Sequence, residues 1–495
     1  MKSLIKAYIA STVYDAAVLT RIGFNIDTSL PRCSQHCINF KNSFLFAGKL
    51  RYAFAMPPDK FSSKGLKVPS GRVARLARFG SMAGGIAGGM LLDGALQLAS
   101  GKRPSLSQLL MTPANALKVT LQLGQMRGAA MKLGQLMSMD AGDLLPPELS
   151  DILARLRADA QHMPERQLTM QLAKHWGRDW QGLFESFDMR PLAAASIGQV
   201  HRAVTKDGRN IAIKIQYPGV RRSIDSDVDN VAALLRLSNL LPRTLDIGPV
   251  LAEAKRQLHE EADYVREGKY LKRFGALLSD APDYVVPVFH ADLSGKDVLA
   301  MSYVKGIAIE ALVSAPQAER DQAAALMIDL VLRELFEFGL MQTDPNFANY
   351  RYDSNTKRII LLDFGATRAL PKTIQKQYRG LLKKVLAGDA TGVFDAATSI
   401  GFINAHTAQK HQALIEDMVT TVLDLLRADA PFDFGNNAFV AQMRDQGMAI
   451  AADRANWHIP PVDTLFVQRK LGGIYLLASR LKARVDVHAI LARYV

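Results

Sequence analysis

The sequence predicts an α+β chain of two lobes, and three observations carry that expectation. The run Asn210-Ile211-Ala212-Ile213-Lys214-Ile215-Gln216 puts Ile211, Ile213 and Ile215 on one face of a strand and Ala212, Lys214 and Gln216 on the other. Far downstream, Asp344-Pro345-Asn346-Phe347-Ala348-Asn349 places an aspartate and an asparagine five residues apart. Shortly after it, the apolar run Arg358-Ile359-Ile360-Leu361-Leu362 ends on Asp363-Phe364-Gly365, the pattern of a strand entering a tight turn.

Any one of these is commonplace, since a lone strand lysine is usually solvated and a lone Asp-Phe-Gly is often only a turn. In this order and spacing they match a phosphotransferase of the protein-kinase type. A lysine there reaches the α and β phosphates when a carboxylate steadies its ammonium. The first aspartate serves the acceptor hydroxyl, and the asparagine and second aspartate are oxygen ligands for magnesium.

Residues 1–66 stand apart from the rest. Lys2, Lys6, Arg21, Arg32, Lys41 and Lys49 come with few acids, as in a mitochondrial-type presequence or a poorly ordered extension. Cys33 and Cys37, the two cysteines of the chain, are too few for a disulfide framework or a zinc site and read as free thiols. Residues 67–180 are expected to be helical, with breaks at Pro146-Pro147 and Met163-Pro164. Within them Arg72, Arg75 and Arg78 precede a charge-free stretch, 79–92, in which Gly80, Gly84 and Gly88 recur every fourth residue. This reads as an interfacial or close-packing helix, because a spanning one needs about 18 or more apolar residues.

Residues 181–305 should form the first lobe. In Ala193-Ala194-Ala195-Ser196-Ile197-Gly198-Gln199-Val200, alignment on Val200 puts Ala193 and Ala195 at the first two glycine positions of a kinase phosphate loop and keeps only Gly198. Alanine restricts φ and adds a methyl where glycine lets N–H groups close on phosphate, so a triphosphate would be held differently. A helix near 223–241 ended by Pro242, a helix bearing Glu267, and a strand pair at 284–288 and 298–303 should follow. Met301, Tyr303 and Val304 fall where a hinge would offer backbone groups to adenine. Residues 306–495, the second lobe, should be mostly helical, with helices at 323–338 and over most of 373–495.

Four further segments add specificity: Met131-Lys132-Leu133-Gly134-Gln135, Glu261-Ala262-Asp263-Tyr264-Val265-Arg266-Glu267, Gln342-Thr343-Asp344, and Gly365-Ala366-Thr367-Arg368. Together with the alanine-rich loop they resemble the UbiB family, the aarF-domain-containing atypical kinase-like proteins of coenzyme Q biosynthesis, from about residue 70 to the C-terminus. The resemblance implies a bilobal protein-kinase-like fold with a helical N-terminal extension folded over the nucleotide cleft. It implies ATP or ADP with Mg2+ as cofactors and Lys214 on the phosphates, paired with Glu267. Glu261 and Asp263 would form the E-x-D motif, and Lys132 and Gln135 the K-x-G-Q motif. Asp344 would take the catalytic-base position, and Asn349 and Asp363 would bind magnesium. Lys132 and Gln135 share a helix face, beside small residues that allow close approach. Glu261 and Asp263 do not share one, so both reach a site only if the helix is interrupted; otherwise one points elsewhere.

The departures from ordinary kinases also constrain function. Gln342 replaces the usual histidine, Ser302 stands where the family often has glutamate, and no Ala-Pro-Glu follows Asp363. Instead Arg368-Ala369-Leu370 runs directly into Pro371-Lys372-Thr373, a helix start. Little room is left to present a peptide, so ATP hydrolysis or transfer to a small or lipid-like acceptor is expected.

With 61 Lys and Arg against 47 Asp and Glu, the net charge of +14 calls for an acidic partner. No zinc-finger spacing or RNP-like aromatic motif supports nucleic acid, and an anionic membrane surface is favoured. The resemblance adds isoprenoid-lipid intermediates and ubiquinone-biosynthesis enzymes as partners, and the glycine steps suit a homodimer. Placement is expected to be peripheral on the inner membrane, at the cytoplasmic face in a bacterium or the matrix face in a mitochondrion. Two functions follow: an atypical kinase or ATPase supporting ubiquinone biosynthesis, or a catalytically silent nucleotide-sensing membrane scaffold. The full set Lys214, Asp344, Asn349 and Asp363 favours the enzyme.

Overall fold

The computed structural model describes residues 128, 129, 132, 162–237, 247–428, 430–451 and 461–495. The basic leader, the 79–92 stretch, Gly134 and Gln135 lie outside the described residues.

In the first lobe the helix expected after Met163-Pro164 is α1 (Glu165–Trp176), which buries Leu168 and Leu172 one turn apart. It is followed by β1 (Phe184–Phe187), β2 (Ala193–Ala194), β3 (Gly198–Thr205) and β4 (Asn210–Gln216). Three helices come next: α2 (Val220–Leu237), α3 (Gly248–Glu261) and α4 (Tyr264–Leu277). After β5 (Tyr284–Val285), β6 (Val298–Ser302) completes an antiparallel sheet of order β1-β3-β4-β6, with β2 folded onto β3. The alternation in β4 is what orients this sheet. Ile211, Ile213 and Ile215 are all fully buried and pack with Leu168 and Leu172 of α1, which sends Lys214 to the opposite face.

The second lobe begins with β7 (Ile307–Ala308) and α5 (Gln317–Arg333), which runs on into a π-helical turn, Glu334–Phe338. Gly339, at φ +56°, ends that turn. Then come β8 (Leu340–Gln342), β9 (Tyr350–Asp353), β10 (Arg358–Leu361) and β11 (Thr367–Ala369). The remainder is mainly helical: α6 (Lys372–Ala387), α7 (Ala390–Ser399), α8 (Ala405–Lys410), α9 (Gln412–Arg427), α10 (Asn437–Ala451), α11 (Val462–Arg480) and α12 (Val487–Ala492). One short ribbon, β12 (Phe432–Asp433) with β13 (Arg484–Val485), ties the segment before α10 to that before α12.

One expectation needs correction. The segments 284–288 and 298–303 are not a strand pair, because β5 lies parallel to β10 in a second sheet of order β5-β10-β9-β7. A bridge from Phe289 to Met301 and the Val288 N–H, which donates to the Ser302 hydroxyl at 2.8 Å, join the two regions. The stretch before Glu267 is interrupted, one of the two alternatives left open by Glu261 and Asp263: α3 stops at Glu261, and Asp263 caps α4 by accepting the Arg266 N–H at 3.1 Å.

Gly198 is required by packing. A Cβ there would lie 2.4 Å from the Ile215 carbonyl oxygen across the β3–β4 pair. Gly198→Ala is therefore expected to destabilise the fold by about 1–3 kcal/mol, read as a lower denaturation midpoint at unchanged slope.

Candidate active site

α4 crosses the face of the first-lobe sheet from which Lys214 projects, and its cap at Asp263 places Glu267 in the first turn, buried. Lys214 Nζ donates to Glu267 Oε1 at 2.7 Å and to Asp363 Oδ2 at 3.0 Å. One ammonium therefore joins the two lobes. Burial works against its charge, but the two carboxylates facing it hold its pKa well above the ordinary lysine value. Burial pushes Glu267 up to about 7, with Lys214 pulling the other way. Asp363 is also penalised by burial, yet Lys214, the Gly365 N–H at 2.9 Å and the field of Lys132 keep it below the usual carboxylate range. About 36% of its side chain remains exposed, so one edge stays open to the cleft.

The loop after Asp363 is clamped from the α3–α4 junction. Arg266 donates to the carbonyl oxygens of Gly365, at 2.6 Å, and Thr367. Arg368 pairs with Glu260 at 2.7 Å, and Phe364 packs on Phe274 of α4 with ring centroids 5.0 Å apart.

The Asp344–Asn349 segment is held against the same loop. β8 pairs with β11, setting Gln342 opposite Thr367, and the Thr343 N–H and hydroxyl both donate to the Ala366 carbonyl oxygen. At the other end the Leu362 N–H donates to the Asn349 carbonyl oxygen at 3.0 Å, so Asn349 abuts the residue before Asp363. Between them, Asn349 Nδ2 donates to Asp344 Oδ2 at 3.0 Å, which leaves Asn349 Oδ1 as an acceptor.

The alanine-rich segment is a hairpin: Ala193 lies opposite Val200 and Ala194 opposite Gln199, and Ala195 N–H donates to Gly198 O at 2.8 Å. Ser196 and Ile197 form its tip. Ser196 Oγ donates to Glu261 Oε2 at 3.0 Å, and the other oxygen of Glu261 pairs with Lys132 Nζ at 2.5 Å. A Cβ on Gly128 would lie 3.1 Å from the Ser196 carbonyl oxygen, so the helical residues 128, 129 and 132 sit directly on the tip. Glu261 and Asp263 thus act in different helices, one toward this tip and the other as a cap. At the hinge Met301 is buried in the core, and the Tyr303 N–H is engaged by Asn210 O at 2.9 Å. The Tyr303 ring lies under the Arg202 guanidinium, and Val304 is half-buried.

Comparison with known proteins gives the family of the chain. The family model for the ABC1 atypical kinase-like domain matches residues 155–397. The mitochondrial atypical kinase COQ8 of Saccharomyces cerevisiae is 36% identical over 428 residues, covering 86% of this chain and 85% of that protein. Its Caenorhabditis elegans counterpart, the mitochondrial atypical kinase coq-8, is 37% identical over 86% of this chain and 58% of its own length. The chain belongs to the UbiB family. It is thereby an atypical kinase-like enzyme with a kinase-like α+β fold. Among solved structures, Rv3197 of Mycobacterium tuberculosis in complex with erythromycin matches with a TM-score of 0.56, at 23% identity over 78% of this chain and 96% of that one. That likeness is one of fold.

In this UbiB protein the donor chemistry fits magnesium. Mg2+ takes one or two carboxylates and completes its shell with phosphate oxygens and water. The open edge of Asp363 and the Oδ1 of Asn349 are such a set, on neighbouring segments. Sequence reasoning gave no role to Arg266, Glu260 or Arg368, which fix the Asp363 loop. Their contacts are long-range, and no periodicity marks them.

Replacing Lys214 would strand two carboxylates, one of them buried. Lys214→Met is expected to cost about 3–5 kcal/mol in chemical denaturation, and adding Glu267→Gln to recover much of that loss.

Proposed function

We propose that this chain is an ATP- and magnesium-dependent atypical kinase or ATPase that supports ubiquinone biosynthesis at a membrane and does not phosphorylate peptides in trans. The observation that carries this reading is the Lys214 ammonium, held between Glu267 and Asp363 beside a loop in which Asn349 is bonded to Asp344. With nucleotide in the cleft, Lys214 binds the α and β phosphate oxygens while Glu267 keeps its ammonium aimed. Asp363 and Asn349 would hold magnesium, which would supply neutralisation of phosphate charge. Asp344, oriented by Asn349, accepts the proton of the attacking hydroxyl or water. The hairpin at Ala194, Ala195 and Ser196, tied through Glu261 to Lys132, covers the phosphates, and Gln135 is the further residue of the K-x-G-Q motif assigned to them. At the hinge of Met301, Tyr303 and Val304, backbone groups other than the Tyr303 N–H, which Asn210 O holds, would serve adenine.

The acceptor side follows from how the second lobe is built. β11 ends at Ala369 and α6 starts at Lys372, so the segment after Asp363 is too short to dock a peptide strand. A small or lipid-like acceptor, or water, suits it better, and likeness to COQ8 proteins favours isoprenoid-lipid intermediates and the enzymes of ubiquinone biosynthesis as partners. Among the described residues no helix is long and apolar enough to cross a membrane. Peripheral attachment through the net charge of +14 to an anionic inner-membrane surface is the arrangement we favour, on the matrix face if the host compartment is the mitochondrion its relatives are named for.

Purified protein is expected to hydrolyse Mg-ATP, faster with anionic liposomes, and Asp363→Asn to abolish that turnover while the protein stays folded. Equal hydrolysis by both proteins would sink the enzyme and leave the nucleotide-sensing scaffold. Because the hairpin tip is proposed to cover the phosphates, Ala194→Gly or Ala195→Gly should shift nucleotide affinity in a binding titration. An unchanged affinity would remove the tip from the site.

A further inference from the structure

Lys470, in the middle of α11, is fully buried. Its ammonium pairs with Glu334 Oε2 at 3.1 Å, donates to the Tyr350 hydroxyl at 2.7 Å and reaches Gln342 Oε1 at 3.5 Å. Glu334 is 1% exposed and opens the π-helical turn that ends α5; such turns are frequent at functional sites. Gln342 is the last residue of β8, two before Asp344, and Tyr350 is the first of β9, adjoining Asn349. One ammonium therefore touches both ends of the segment that carries the proposed base and one proposed metal ligand. A buried ion pair adds little net stability, because desolvation offsets its attraction. What it supplies at this place is a fixed geometry.

Two contacts on the same face of α11, neither of them part of that cluster, point the same way. Gly473 faces Pro345, and a Cβ added to it would lie 2.2 Å from the Pro345 Cβ. Phe466 lies under the Arg368 guanidinium, 4.1 Å from ring centroid to carbon, and Arg368 lies in β11, which the loop after Asp363 enters. Positions 466, 470 and 473 are spaced i, i+4, i+7, one stripe along the helix. That stripe meets both segments of the active site.

We propose that Lys470 is a positioning residue, which with Gly473 and Phe466 on the same stripe of α11 sets the Asp344–Asn349 segment in its working geometry. Only the kinetic arm of its test rests on the ATPase reading. The test compares the wild-type full chain with Lys470→Met combined with Glu334→Gln, a pair of changes that removes both buried charges so that neither is stranded. In nucleotide-free protein, amide hydrogen exchange across 343–350 is expected to quicken by about tenfold while 211–216 and 298–302 keep wild-type protection. With Mg-ATP, kcat is expected to fall roughly tenfold to a hundredfold at a KM within about threefold of wild type, the signature of a misplaced catalytic group rather than lost binding. Wild-type exchange across 343–350 in the folded double variant overturns the proposal. If that variant does not fold, Gly473→Ala, which leaves the charges intact and presses on Pro345, decides by the same two readings. A wild-type protein with no turnover would overturn the ATPase reading alone, and the exchange comparison would still decide this one.

Discussion

The ammonium of Lys214, caught between a carboxylate of each lobe, is the constraint around which the rest of this structure is arranged. It comes from the first-lobe sheet, Glu267 from a helix laid across that sheet, and Asp363 from the end of a second-lobe strand. Separating the lobes would break the bond to Asp363 and leave the buried ammonium with Glu267 as its one remaining carboxylate. The other devices near the cleft each secure one of the three partners. Ile211, Ile213 and Ile215 lock the face of β4, the Asp263 cap sets the start of α4, and Arg266 with Phe364 pins the turn after β10.

The alanine-rich hairpin looks at first like a degraded phosphate loop, but its surroundings give a different account. The extension helix presses on its tip at Ser196, and the small residue that permits this contact is Gly128, on the helix. The requirement for a missing Cβ has moved from the loop to the element that covers it. Glu261 then bonds the tip and the extension together through its two oxygens. Gly198, the one glycine kept from the phosphate-loop pattern, answers to the Ile215 carbonyl behind it.

Much of this was legible in the sequence, and the illegible parts share a cause. Alternation in β4 told which way Lys214 points, because period two leaves no choice once one face is apolar. The failure of Glu261 and Asp263 to share a helix face left two alternatives, an interruption or a diverted side chain, and the structure has the interruption at Ala262 with Asp263 turned to capping. By contrast, the partner of Tyr284–Val285 was misread, since a short apolar run specifies a strand without naming its neighbour; the true pairing reaches Ile359 and Ile360. α11 was read only as part of a helical region. Gln468, Arg469 and Lys470 are all buried in it, so a polar triplet that would normally mark a solvated face marks the interior instead. Nothing short of the fold reveals that.

The eight residues from Glu260 to Glu267 serve four neighbours at once: Arg368, the extension with the hairpin tip, the turn after Asp363, and Lys214. Selection has correspondingly little latitude there. A change at any of four side chains in that octapeptide, Glu260, Glu261, Arg266 or Glu267, damages a contact with a different part of the molecule, and no single compensating substitution elsewhere restores more than one of them. Inherited variation should therefore be sparser across this junction than across either helix that it joins.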